Sequence, residues 1–346
     1  MRRSSFSGGV VLEDFSYRYR EFLNILFTQV HGKVKNLEIA KLYGVAPSTL
    51  TSIIGYLRRI GFTFSADVVY RYLGLRKAYI LTTRRIDYTL IKGIAPSLYP
   101  PNHILYVLYL PLHTRSRRVA RLFKSLFKTK SVALVDYSLG CKPDLVSFNV
   151  PSSEEDIGVL VEKLDEPNYR LSTSFIERSI RVRFNSLDLF VLKELELDYF
   201  TTCKEIAVKA GVPYHRVLKS LEKLKRTIIG VRCRRTPWTS TYNLRAVALL
   251  DPVNSSSSLK LFSTLPRFPL MGSVNLSSGD GRVTVVSVID STLNPIVFRV
   301  FERLVEYGFV KKYSVFCIFD YRGLRAYTLP YKIGVEYDKY LRRFIV

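Results

Sequence analysis

The chain has 346 residues, of which 53 are Lys or Arg and 29 are Asp or Glu, a formal net charge of +24. With 47% hydrophobic residues it is no disordered basic tail, and it is long enough for two or more domains with real cores. A surface this basic suits a polyanion (DNA, RNA or an anionic membrane) and sets the chain apart from near-neutral metabolic enzymes. The four cysteines, Cys141, Cys203, Cys233 and Cys317, are scattered. They fit neither a zinc site nor a disulfide scaffold and read as buried thiols of an intracellular protein. The N-terminus MRRSSFSGGVVLEDF lacks the apolar core of a signal peptide. The longest apolar run, 103–112, is too short to span a bilayer and reads as a buried strand. High Lys and Arg with few Cys and Met fit a thermophilic archaeal source.

In chain order, the first element is an amphipathic helix over 19–30. NLEIAKLYGV follows, with Ile39, Ala40 and Leu42 on one face and Gly44 as the turn. Pro47 then opens a second helix with Leu50, Ile53, Ile54 and Leu57 facing inward. Helix, glycine turn and helix make a helix-turn-helix, whose second helix reads the major groove. The same construction returns at Glu205, without gaps: a helix over 186–197, then EIAVKAGVPYHRVLKSLEKLKR. There Ile206 and Ala207 pack, Gly211 turns, and Val217, Leu221 and Leu224 face inward. Each unit is followed by two β-rich runs, 62–83 and 228–250, expected to fold as wing hairpins.

The halves continue alike. Runs at 93–111 and 272–290 read as paired strands, each followed by a helix (115–128 and 293–308) and a strand (131–139 and 311–322). That β-β-α-β order covers most of a ferredoxin-like α/β sandwich. An acidic amphipathic helix is expected at 151–166. The fold class is therefore α+β: two tandem copies of winged helix-turn-helix plus ferredoxin-like domain. The boundaries fall at 1–84, 85–150, a connector at 151–183, 184–251 and 252–346.

Each half resembles the Lrp/AsnC (leucine-responsive, feast/famine) transcription regulators. The residues that carry the likeness are EIAKLYGVAPSTLTSIIGYLRRIGF, YRYLGLRKAYILTT and SSGDGRVTVVSVIDSTLNPIVFRVFERL. The resemblance implies duplex DNA as partner, pairing through the α/β domains, and here a fused dimer. It also implies a cytoplasmic, nucleoid-associated protein. Family members that bind amino acids carry a Gly-x-x-Asp turn, and this chain has Gly279-Asp280-Gly281-Arg282. The amino-acid effector is therefore not carried over.

The candidate DNA-binding residues differ between the copies. The first helix offers Ser48, Thr49, Thr51, Ser52 and Tyr56, with charge only at Arg58 and Arg59. The second offers Tyr214, His215, Arg216, Lys219 and Lys223, and its wing adds Arg232, Arg234 and Arg235. Hydroxyls bond bases or phosphates, while Arg and Lys add phosphate attraction and bidentate reading of guanine. The second head is thus expected to supply more of the affinity, and the pair to prefer an asymmetric site. Trp238 stands beside the wing arginines, or packs on its own hairpin. The basic helix 115–128 faces nucleic acid, an anionic membrane or solvent.

No catalytic, cofactor or metal site is nominated. The histidines, His31, His103, His113 and His215, lack ligand spacing, and no phosphate-binding or nucleophile motif occurs. The sirohaem decarboxylases, enzymes that also resemble Lrp/AsnC proteins, keep catalysis as an alternative. An architectural chromatin protein and an RNA- or ribosome-binding protein are the others. The deep, narrow major groove of duplex RNA disfavours the last.

Overall fold

A computed structural model describes residues 17–60, 62–86, 91–111, 131–140, 158, 161–162, 184–225, 227–235, 244–268, 271–277, 279–289, 296–320 and 323–326. The expected helix at 115–128, nearly all of the acidic helix at 151–166, Cys141 and Trp238 lie outside them.

The first half opens with α1 (Tyr17–Thr28), α2 (Asn36–Leu42) and α3 (Pro47–Arg59). Gly44 takes φ +69° between α2 and α3, a left-handed turn that favours glycine. Leu50, Ile53, Ile54 and Leu57 are all buried, as their spacing requires. Leu42 departs from expectation: it is 46% exposed, because α2 ends there and the chain turns away from the core.

The second half repeats the set with α4 (Ser186–Leu197), α5 (Cys203–Ala210) and α6 (Tyr214–Leu224). Its helices are better capped. Asn185 and Asp188 form a capping box on α4, and Thr202 and Glu205 form one on α5. Val217 and Leu224 are buried and Leu221 is half-buried.

Neither expected wing closes on itself. β1 (Phe62–Val68) pairs antiparallel with β7 (Ile228–Arg235), the matching strand of the other half. β2 (Leu75–Thr82) and β8 (Leu244–Pro252) leave for the large sheet instead. The physical reason is burial: Phe64, Ala66, Val68, Ile228 and Val231 have an apolar face that only the paired heads can cover. The offset that places Glu38 on Glu205 carries Ser65 onto Arg232, and these two are direct ladder partners. The pseudo-dyad of the repeat therefore passes through this ladder.

The large sheet is antiparallel and runs β5-β2-β4-β3-β11-β8-β10-β9-β6, with β12 (Arg325–Ala326) on β3. Its other strands are β3 (Ile91–Tyr99), β4 (His103–Pro111), β5 (Ser131–Val135), β6 (Tyr137–Gly140), β9 (Met271–Leu276), β10 (Val283–Ile289) and β11 (Val310–Asp320). The expected strand 131–139 breaks at Asp136. Its first part pairs with β2 of its own half and its second with β9 of the other, so the sheet closes on itself. β11 does the same, lying along β8 and reaching β3. The inner face holds Tyr79, Leu81, Ala95, Leu105, Val247, Cys317 and Phe319 from both halves.

The second half runs β8-α-β9-β10-α-β11, a complete β-α-β-β-α-β unit. Its helices α7 (Ser255–Thr264) and α8 (Ile296–Glu306) cover the outer face through Leu261, Phe262, Phe301 and Leu304. α7 was not foreseen: its run of serines reads as loop, yet the Asn254 side chain accepts from the Ser257 amide and starts a helix. In the first half, 83–90 is too short to hold its counterpart.

Asp67 on β1 is fully buried and accepts from Arg232 Nη2 at 2.7 Å and from the Gly140 amide at 3.3 Å. A Cβ at Gly140 would lie 2.4 Å from Arg232 Nε. Breaking a buried ion pair by removing one partner costs about 3–5 kcal/mol. Arg232→Met is expected to lower stability by that order in chemical denaturation. The uncharged pair Asp67→Asn with Arg232→Met recovers most of the loss. Gly140→Ala should be destabilised by the clash with Arg232, which Asp67 pins.

Candidate nucleic-acid interface

Two helices carry the residues expected to meet a polyanion. On α3, Ser48, Thr51, Ser52, Tyr56, Arg58 and Arg59 are exposed and Thr49 is half-buried. The hydroxyls of Thr51 and Ser52 donate to the Pro47 and Ser48 carbonyls at 3.0 and 3.1 Å. Their oxygens remain open to accept, but their protons are turned into the helix. Arg58 is committed across the halves to Asp198, at 2.5 Å. Among the described residues, no side chain engages the charge of Arg59 on α3.

Helix α6 presents a different face. Tyr214, His215 and Arg216 form its first turn and Lys219 follows one turn later, all exposed. Neither Arg216 nor Lys219 has a side-chain partner among the described residues. Pro213 precedes the helix with φ −58° and ψ 142°, and it is exposed together with the first turn. The leading residues of such a helix are the ones that reach base edges in a major groove.

Three of the residues expected to make contacts also carry interactions within the fold. Lys223 pairs with buried Asp188, which also accepts from Ser220 Oγ at 2.7 Å and caps α4. The offset of the repeat places Tyr56 at the position of Lys223. Tyr56 stacks on Tyr19 with ring centroids 4.8 Å apart. Both residues hold the last helix of their unit against the first, one by an aromatic stack and the other by an ion pair. Arg232 lies at the pseudo-dyad, bound to Asp67 and largely buried. Burial opposes its charge, but Asp67, Glu196 and Tyr109 together outweigh that, so it stays a guanidinium directed inward. The backbones of Arg234 and Arg235 lie in the ladder opposite Thr63 and Phe62.

The heads touch directly. Tyr199, fully buried, donates its hydroxyl to the Gly32 carbonyl at 2.7 Å and accepts from the Val34 amide at 3.0 Å. Its own amide donates to the Phe64 carbonyl at 2.9 Å. Burial pushes its phenol well above the usual range, so it stays protonated and keeps donating. Lys33 lies over the same ring, 4.5 Å from its centroid, and donates to the Tyr199 carbonyl. Burial pulls the Lys33 ammonium down from 10.5 to about 8, with Cys203, Asp198 and Glu205 pulling the other way. Sequence periodicity gave no sign of Tyr199 or Lys33, since both lie in turns.

No protein-family model matches the chain, and no curated protein matches it. Among solved structures, the siroheme decarboxylase NirDL aligns over 95% of this chain and 100% of its own, at 12% identity and a TM-score of 0.50. The same enzyme with an iron-uroporphyrin III analogue aligns over 95% and 98%, again at 12% and 0.50. E. coli AsnC aligns over 39% of this chain and 92% of its own, at 14% identity and a TM-score of 0.28. At these identities the NirDL matches show a shared fold: mixed α+β with an antiparallel sheet. The AsnC match is too slight to carry an argument. No described helix is long and apolar enough to cross a membrane.

Linkage sets a pH dependence. Above about pH 8 the unfolded chain keeps a proton on Lys33 that the folded chain has released, so stability climbs with pH. Above about pH 9 Cys317 opposes this, because burial pushes its thiol up to about 12. Denaturation midpoints should therefore rise from about pH 7 to about pH 9, and Lys33→Met should flatten the rise.

Proposed function

We propose that this chain is a duplex-DNA-binding transcription regulator that meets DNA through two unlike helices, α3 and α6. The observation that carries the reading is α6: Arg216 and Lys219 are exposed and without side-chain partners among the described residues, with Tyr214 and His215 beside them, on a chain of net charge +24. A protein stabilised by its surface charges would spend these side chains on carboxylates, as Lys223, Arg58 and Arg232 are spent.

α6 supplies phosphate and guanine contacts, and α3 supplies short hydroxyl acceptors with Arg59. The two faces differ, so the preferred site is asymmetric. Because the heads share a core, their spacing is set by protein packing, not by a linker. A location on the nucleoid in the cytoplasm follows from this reading. Whether occupancy is site-specific or architectural is decided by competition with unrelated DNA.

A second reading, an enzyme on this fold, is supported by the full-length likeness to siroheme decarboxylase NirDL. It predicts that incubation with sirohaem yields a decarboxylated product by mass spectrometry.

The first reading is tested by fluorescence titration of duplex DNA at two salt concentrations. Arg216→Ala with Lys219→Ala is expected to weaken binding by about tenfold or more and to reduce the salt slope by roughly 2. Unchanged affinity in the double variant would overturn the assignment of α6. The folded state should be intact, since neither side chain has a partner among the described residues.

A further inference from the structure

The inner face of the closed sheet carries a polar cluster where β5 and β6 cross from one half to the other. Lys77 on β2 donates to Asn275 Oδ1 on β9 at 3.2 Å and to Ser138 Oγ on β6 at 3.5 Å. Tyr79, two residues on and buried, donates its hydroxyl to the same Asn275 oxygen at 3.5 Å. Asn275 is fully buried, and its amide nitrogen donates to the Thr284 carbonyl at 2.9 Å and to Ser273 Oγ at 3.4 Å. Those two bonds fix the amide, so Oδ1 must face Lys77 and Tyr79.

Donors outnumber acceptors here. Lys77 has three N–H bonds, and its only partners among the described residues are the two neutral oxygens and the Tyr79 ring, 5.0 Å from Nζ to the centroid. The hydroxyl protons of Ser138 and Ser273 have no acceptor among the described residues. One amide oxygen thus serves a cation and a phenol, through bonds at the long end of the hydrogen-bond range. Asp136, two residues before Ser138, is already spent on Arg71 at 2.9 Å and on Arg76 at 2.7 Å. Two other inward cations do meet carboxylates: Arg232 meets Asp67 and Lys223 meets Asp188. A buried charge is otherwise costly, and a charge with only neutral, overstretched partners lacks its counterion. Lys77 and Ser273 are each half-buried, so the cluster has an opening to solvent.

We propose that this seam binds a small oxyanion ligand, a carboxylate or a phosphate, seated on Lys77 Nζ with the hydroxyls of Tyr79, Ser138 and Ser273 as further donors. Such an anion accepts from several donors at once and replaces the single overloaded Asn275 oxygen. Lys77, Tyr79 and Ser138 belong to the first half, and Ser273 and Asn275 to the second. The ligand therefore clamps the point at which the sheet closes. It also sits next to Asp136, whose partner Arg71 lies in the turn that joins β1 of the heads to β2. The site stands independently of DNA binding.

The test is thermal unfolding of the full chain in inorganic phosphate and in acetate, against sodium chloride at matched ionic strength. A saturable rise in Tm of roughly 2 °C or more is expected with at least one of the two oxyanions, and the better one identifies the ligand class. The rise should persist in Lys77→Arg and in Arg216→Ala with Lys219→Ala, which leaves the seam intact. It should vanish in Lys77→Gln and in Ser273→Asp, which places a competing carboxylate at the half-buried rim. Two different variants guard against a folding defect in either. No saturable rise with phosphate or acetate would overturn the proposal, as would a rise that survives both Lys77→Gln and Ser273→Asp.

Discussion

The pairing of β1 with β7 is the constraint on which the rest depends. It places equivalent residues of the two halves opposite each other, with Ser65 beside Arg232. It also buries Asp67 so deeply that a cation must accompany it. That ladder uses one edge of each strand, and the strands that would have closed the wings lie in the large sheet instead. Both second strands enter the sheet, and β5–β6 and β11 each cross to the other half. The chain is in this sense a dimer made by one polypeptide, with a dyad inside its own core.

That arrangement frees the two halves to diverge on the outside while they stay matched within. The position shared by Tyr56 and Lys223 shows how. Each locks the last helix of its unit to the first, yet one uses an aromatic stack and the other an ion pair to Asp188. Outside, α3 keeps short hydroxyls and α6 keeps uncommitted Arg216 and Lys219. Affinity for a polyanion can then concentrate on one helix without loss of the shared core, because the groups that hold the heads together face inward.

Much of this was legible in the sequence where the signal is local. The buried faces of α3 and α6 follow from helical spacing, and Gly44 and Gly211 mark turns that take positive φ. Strand pairing was not legible, because an alternating strand declares which face is apolar but not which strand covers it. Arg232 was therefore read as a wing residue, although its charge is spent on Asp67. The ion pair of Lys223 was hidden for a related reason: its partner, Asp188, lies on a different helix. α7 was hidden by its serines, and the Lys77 cluster by the fact that its members come from three strands in two halves.

In the proposed function the heads form one unit that engages duplex DNA asymmetrically. Hydroxyl-radical footprinting on genomic fragments, with excess unrelated competitor DNA, reads this out. A compact protected site with two unequal areas of contact is expected, with loss of the stronger one in Arg216→Ala with Lys219→Ala. Absence of protection on every fragment, at a protein concentration that saturates other polyanions, would contradict it.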